Sequence, residues 1–248
     1  MITVAIVNQK GGTGKTTTAI NLGRALVEMD KRVLLIDLDA QGNLTYSLGV
    51  EFENSISDVI HGDITFDEIL AESGGMTVAP SDTSLSDTEL SLTEVEQREF
   101  VLKGILSGID SYDYVFIDCP PSLSLLTINA LNAADKVIIP MQMEVLSLQG
   151  LDQVTETIAK IRKLYNNKLE IEGVLPVMVD RRRKLSLEIY DHISENYDLR
   201  IFDTGIRTNV RATEAPSFGL SVIDYEPGCN SAQDYLKLAG EILVINNN

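Results

Sequence analysis

A doubly wound α/β fold, with a mostly parallel sheet flanked by helices, is what this sequence predicts, and three observations carry it. Short apolar runs alternate along the chain with helix-length segments, the pattern of successive β-α units. The runs are continuous in β-branched and aliphatic residues rather than alternating, which marks strands buried on both faces. The first run, Ile2–Val7, leads directly into a glycine-rich loop, Lys10–Thr17.

In order, strands are predicted over 2–7, 33–37, 76–79, 114–118, 136–140, 171–179 and 220–223. Helices are predicted over 15–30, 94–109, 123–133, 147–165, 184–195 and 231–245. The 248 residues fit a single domain, 1–248, in which 44% hydrophobic content fills one core. The stretch around 44–93 is less regular and acidic, and reads as an insertion of short helices and loops between two core strands. No segment approaches the length needed to cross a bilayer. The first apolar run lacks a basic start and is a strand, not a signal peptide. Cys119 and Cys229 lie far apart, so no disulfide framework is expected, and with only His61 and His192 neither is a zinc site. These features predict a cytoplasmic protein.

The formal net charge of −17 argues by itself against nucleic-acid binding. It is unevenly spread. Residues 51–99 hold thirteen acidic residues against Arg98 alone, whereas 176–215 balance seven of each sign. A basic patch is therefore still available in the second region.

The loop Lys10-Gly11-Gly12-Thr13-Gly14-Lys15-Thr16-Thr17 sits between a strand and a helix, where a phosphate-binding loop belongs. Its glycines let backbone N–H groups face an anion. Lys15 would reach the terminal phosphates of the ligand, and the Thr16 hydroxyl would ligate Mg2+. The standard loop has glycine where this chain has Gln9, and a second lysine, Lys10, follows. This pattern resembles the deviant Walker A loop of the ParA/MinD ATPases, a P-loop group that also contains the nitrogenase iron protein. The resemblance implies a homodimer formed on ATP, in which Lys10 reaches the nucleotide of the other subunit.

Further blocks fit the same frame. The second strand ends in Asp37-Leu38-Asp39-Ala40-Gln41-Gly42-Asn43, beyond the carboxyl end of a strand, where ligands of doubly wound sheets sit. Asp37 and Asp39 are candidates to hold Mg2+ waters and to orient an attacking water. The stretch resembles the D-x-D-x-Q-G-N element of ParA proteins, which implies water activation by Asp39; many members have proline where this chain has Ala40. The run Val115–Asp118 followed by Cys119-Pro120-Pro121-Ser122 has the Walker B pattern, with Asp118 reaching Mg2+ through water.

Asp180-Arg181-Arg182-Arg183-Lys184 is the densest positive charge, and Arg207-Thr208-Asn209-Val210-Arg211 opens a block similar to the N-V-R-x-x-E-A-P-S-x-G block of ParA proteins. The resemblance implies nonspecific DNA binding by Arg182 and Arg211, helped by Arg181, Arg183, Lys184 and Arg207. It also implies adenine contacts near Met178 and at the Arg207–Val210 turn, including Asn209. The expected protein is a slow, ParA-like ATPase that positions a cargo on the nucleoid and is released by a ParB-like or other activator. The alternatives are a MinD-like membrane switch and a metabolic or iron-protein-like ATPase. The C-terminal helix carries Lys237 against Asp234 and Glu241, so core packing rather than lipid binding is expected of it. A first strand starting at residue 2 leaves no N-terminal helix-turn-helix to expect.

Overall fold

The computed structural model describes residues 1–179 and 184–246, with backbone alone for 184–187. In chain order the strands are β1 (Ile2–Ile6), β2 (Val33–Asp37), β3 (Ala71–Ser73), β4 (Met76–Ala79), β5 (Tyr114–Asp118), β6 (Lys136–Gln142), β7 (Glu170–Val179) and β8 (Ile206–Arg207). The helices are α1 (Lys15–Val27), α2 (Asn43–Ser47), α3 (Ile56–His61), α4 (Ser84–Leu92), α5 (Val101–Leu106), α6 (Leu125–Ala133), α7 (Val145–Leu164), α8 (Lys184–Asn196), α9 (Val210–Glu214), α10 (Val222–Tyr225) and α11 (Asn230–Asn246). They build one eight-stranded sheet in the order β3-β4-β2-β5-β1-β6-β7-β8. Every pairing is parallel except β3 with β4.

Two hydrophobic layers cover the sheet, as continuous apolar strands require. One lies under α1, α2, α10 and α11 and includes Leu22, Leu26, Leu44, Val222 and Leu238. The other lies under α3 to α8 and includes Ile56, Leu85, Leu102, Leu126, Leu151 and Ile189. α11 buries Tyr235, Leu238, Ala239 and Ile242 within the first layer.

Register positions the site. Ile6 of β1 pairs with Asp118 of β5, and Asp118 pairs with Asp37 of β2. The end of β1, the Walker B aspartate and the second-strand aspartate therefore share one level at the carboxyl edge of the sheet.

The predicted strand over 220–223 is absent. Ser221 caps α10 instead, its hydroxyl accepting from the Asp224 N–H, and the Val222 N–H donates to Asn21 Oδ1 at 2.7 Å. The helix predicted over 94–109 begins only with a 3-10 turn at Arg98, because Gln97 takes a left-handed φ of 56° that a helix cannot continue through. The stretch 44–93 carries α2, α3, β3, β4 and α4, of which β4 joins the sheet beside β2. β3 and β8 are too short to give a periodic signal.

Candidate functional site

The loop between β1 and α1 is braced from within. Asn8, buried, donates from Nδ2 to the Pro140 carbonyl at 2.7 Å and accepts the Lys10 N–H on Oδ1 at 3.0 Å. The Thr13 hydroxyl donates to the Lys10 carbonyl at 3.1 Å. Gly12 and Gly14 have φ of 72° and 75°, and beyond the immediate chain neighbours no described residue comes within 4 Å of where a Cβ would stand on Gly11, Gly12 or Gly14. The loop thus wraps open space with its backbone. α1 opens onto the same space. Its first intrahelical bond runs from the Thr18 N–H to the Gly14 carbonyl, which leaves the preceding N–H groups of the turn for a ligand. An anion is favoured there by those donors and by the helix dipole.

The resulting pocket, about 370 Å³, is lined by Gly11 through Thr17 and by Asp39, Gln41, Asn43, Ser47 and Pro121. Lys15 is buried in its wall, and that burial pulls its ammonium below the usual lysine range, opposed by the carboxylates of Asp118 and Asp39. Lys10 differs: it is exposed, and among the described residues its side chain has no hydrogen-bond or ion-pair partner.

Behind this pocket lie two buried carboxylates. Asp37 Oδ2 accepts the N–H and the hydroxyl of Thr45 at 2.9 and 2.8 Å, and Oδ1 accepts the Asp39 N–H at 3.2 Å. Burial pushes its pKa up to about 6 despite the Thr45 bonds. Asp118 is fully buried, and among the described residues neither of its oxygens has a well-formed hydrogen bond. Burial first and the Asp37 charge second hold its carboxyl well above the usual range, with the Thr16 hydroxyl and Lys15 acting in the opposite sense. An orphaned carboxylate beside a threonine hydroxyl and a phosphate-sized pocket fits a hydrated divalent cation. Among the described residues no three His, Cys, Asp or Glu side chains form a metal cluster, so such an ion would take most of its ligands from water and phosphate.

A second pocket of about 340 Å³ shares Gly14 and Thr17 with the first. Its wall is mostly apolar: Val177, Met178, Ile206, Ala212, Pro216 and Tyr235, with Thr208, Asn209, Thr213 and Ser231 at its polar positions. A planar base in this pocket and phosphates in the first would be joined across Gly14 and Thr17. Met178 and Asn209 were expected here. Asn209 also caps α9 by accepting the Arg211 N–H at 2.9 Å.

Phosphate-loop residues and Asp39 are brought together as the sequence anticipates, while Asp37 and Asp118 stand one layer deeper. Gln41, Asn43, Ser47, Pro121 and most of the second pocket are not among the site residues that the sequence predicts. Gln41, Asn43 and Pro121 lie within quoted motifs and were findable there; Tyr235 and Ile206 arrive through tertiary contact alone. Arg207 is committed internally: its Nε and Nη2 fork onto Asp234 at 2.8 and 2.6 Å. Arg211 is exposed and pairs with Glu214 at 2.7 Å. The expected DNA contacts Arg181, Arg182 and Arg183, and the side chain of Lys184, lie outside the described residues.

Strand, glycine loop and helix, followed by two strand-end aspartates in register, define a P-loop ATPase with a deviant Walker A loop. A family model described as an AAA domain matches residues 1–171. The chain is 44% identical over 248 residues to the chromosome partitioning protein ParA of Caulobacter vibrioides, covering 97% of this chain and 93% of that protein. It is 42% identical over 245 residues to the sporulation initiation inhibitor protein Soj of Bacillus subtilis, covering 96% and 97%. It belongs to the ParA/MinD-type ATPases. Among solved structures, cobyrinic acid a,c-diamide synthase from Mycobacterium smegmatis, with bound ADP and magnesium, has a TM-score of 0.87 at 35% identity, covering 98% of this chain and 94% of that one. The septum site-determining protein MinD of Pyrococcus horikoshii, complexed with Mg-ADP, has a TM-score of 0.79 at 26% identity, covering 97% and 95%. No helix among the described residues is long and apolar enough to cross a membrane.

Proposed function

We propose that this chain is an ATP-switched partition ATPase of the ParA kind, and that its active site is completed by a second copy. The observation that carries this reading is the contrast between the two lysines. Lys15 is buried in the pocket wall, whereas Lys10 is exposed, set on the same loop and without a side-chain partner among the described residues. Lys15 and the first N–H groups of α1 bind the phosphates of ATP. The apolar second pocket holds the adenine. Asp118, Thr16 and Asp39 would hold the magnesium ion, which when bound offsets charge on the phosphate oxygens. Asp39 orients the attacking water. The partner copy's Lys10 adds positive charge where negative charge develops during transfer, which makes hydrolysis depend on dimerisation.

The dimer binds DNA without sequence preference through Arg182 and Arg211, with Arg181, Arg183 and Lys184 as helpers, and concentrates on the nucleoid. A cargo-bound activator stimulates hydrolysis and releases it. Relatives named for chromosome partitioning, at 39–44% identity over nearly the whole chain, support this reading over the diamide synthase resemblance at 35%.

Two sets of variants test it. Lys15→Ala should abolish ATP binding, while Lys10→Ala should bind ATP yet fail to form the ATP-dependent dimer or to hydrolyse within it. Equal loss of affinity in both would mean that Lys10 acts within its own subunit. Arg182→Glu/Arg211→Glu should dimerise on ATP but lose retention on nonspecific DNA at matched salt; retention equal to the parent's would refute the basic-face assignment.

A further inference from the structure

Asp39 is held by more than its own loop. Its N–H donates to Asp37 Oδ1 at 3.2 Å, its carbonyl accepts the Gly42 N–H at 2.9 Å, and its Oδ1 accepts the Gln41 N–H at 3.0 Å. Those three bonds stay within residues 37–42. A fourth comes from elsewhere: the Ser81 hydroxyl donates to the Asp39 carbonyl at 3.0 Å, from 42 positions along the chain.

Ser81 is buried and is itself fixed. It follows β4, whose Ala79 pairs with Ile36 of β2, so it arrives beside the end of β2 that carries Asp37. Its N–H donates to Thr45 Oγ1 at 3.0 Å, and the Thr45 hydroxyl donates in turn to Asp37 Oδ2 at 2.8 Å. The hydrogen bonds therefore close a ring that runs from Asp39 to Asp37, Thr45, Ser81 and back to Asp39. Asp37, Thr45 and Ser81 are buried and Asp39 is half-buried, so water competes little for these bonds. Gly42 completes the fit. A Cβ there would stand 2.8 Å from the Ser81 carbonyl oxygen, so the two loops meet backbone to backbone. One group of Asp39 is left open: among the described residues no hydrogen bond falls on Oδ2, and Asp39 lines the phosphate pocket.

We infer that Ser81 is a positioning residue for ATP hydrolysis. Through the Asp39 carbonyl it fixes where the Asp39 carboxylate stands against the attacking water, although it does not itself line the phosphate pocket. This deepens the ATPase reading and rests on it. It also gives the irregular 44–93 stretch a task, which is to return a strand whose end locks the loop that orients the water.

Ser81→Ala removes the hydroxyl and keeps the N–H that Thr45 accepts. Steady-state ATP turnover and ATP-dependent dimerisation, followed by analytical ultracentrifugation, are measured on the full chain with Mg2+ present. In Ser81→Ala kcat should fall about tenfold, while KM for ATP and dimer assembly stay within about twofold of the parent, because the phosphate loop and Lys10 are untouched. Thr45→Val, which is close in shape and opens the ring at another member, should show the same split between kcat and KM. A residue that only supports the fold would move KM and dimerisation together with kcat. Parental kcat in Ser81→Ala therefore overturns the assignment, and so does a loss shared equally by KM and dimer assembly. Absence of ATP turnover in the parent would instead overturn the ATPase reading itself, so the two failures are distinguishable.

Discussion

Met178 holds a left-handed backbone, φ 53°, near the end of β7. Between Val177 and Val179 the register on β8 advances only from Ile206 to Arg207, so Met178 is the extra residue of a β-bulge. Glycine ordinarily occupies left-handed bulge positions, and a methionine there stores roughly 1–2 kcal/mol of strain. The side chain that incurs this cost lines the apolar second pocket. Met178→Gly removes the strain but adds freedom to the unfolded chain, so its nucleotide-free stability should stay within about 1 kcal/mol of the parent. Its ATP affinity should fall severalfold while affinity for tripolyphosphate, which has no base, is unchanged. Calorimetric melting and competitive titration give both readings. Equal loss for the two ligands would place the damage in the phosphate loop rather than the base pocket.

At the scale of elements, β8 shows how side chains replace a short ladder. It has only two residues, yet Asp234 of α11 accepts the Arg207 N–H at 3.0 Å and grips its guanidinium, while the Ser231 hydroxyl donates to the Arg207 carbonyl at 3.1 Å. Asp234→Asn keeps one acceptor but loses the charge, and should lower stability by about 1–3 kcal/mol, read as a lower urea midpoint at constant m-value. The elements carrying the phosphate loop, Asp39 and Asp118 were legible because each is one continuous strand followed by a motif. The Asp234 clamp, the Met178 bulge and β8 were not, since each exists only through residues distant in sequence. The proposed 220–223 strand failed for a related reason: Leu220-Ser221-Val222-Ile223 has the apolarity of a strand, but Asn21 and the Ser221 cap claim its backbone groups for a helix start.

For the whole molecule, buried carboxylates at the carboxyl edge tie stability to pH. The folded pKa of Asp37, about 6, lies above its unfolded value of about 3.9. Its protonated form therefore favours the fold, and the stability that it adds below pH 4 is lost as pH rises through 6. Asp113 behaves oppositely: the hydrogen bonds from Arg32 bring it down to about 2, and its contribution is lost as pH falls toward 2. In nucleotide-free, metal-free protein, the melting temperature of the parent relative to Asp37→Asn should fall between pH 4 and 6. A flat difference across that interval would show that Asp37 titrates normally.

The position of β1 also governs how the protein is made. The strand that carries the phosphate loop is synthesised well before its partners but lies inside the sheet, and those partners begin at Tyr114 and Lys136. On the ribosome it must wait for both neighbours, a delay on the order of ten seconds at ordinary elongation rates. Through that interval Ile2–Val7 remains an unpaired apolar strand, a site for chaperone capture, and the nascent chain has no nucleotide pocket with which to stabilise itself.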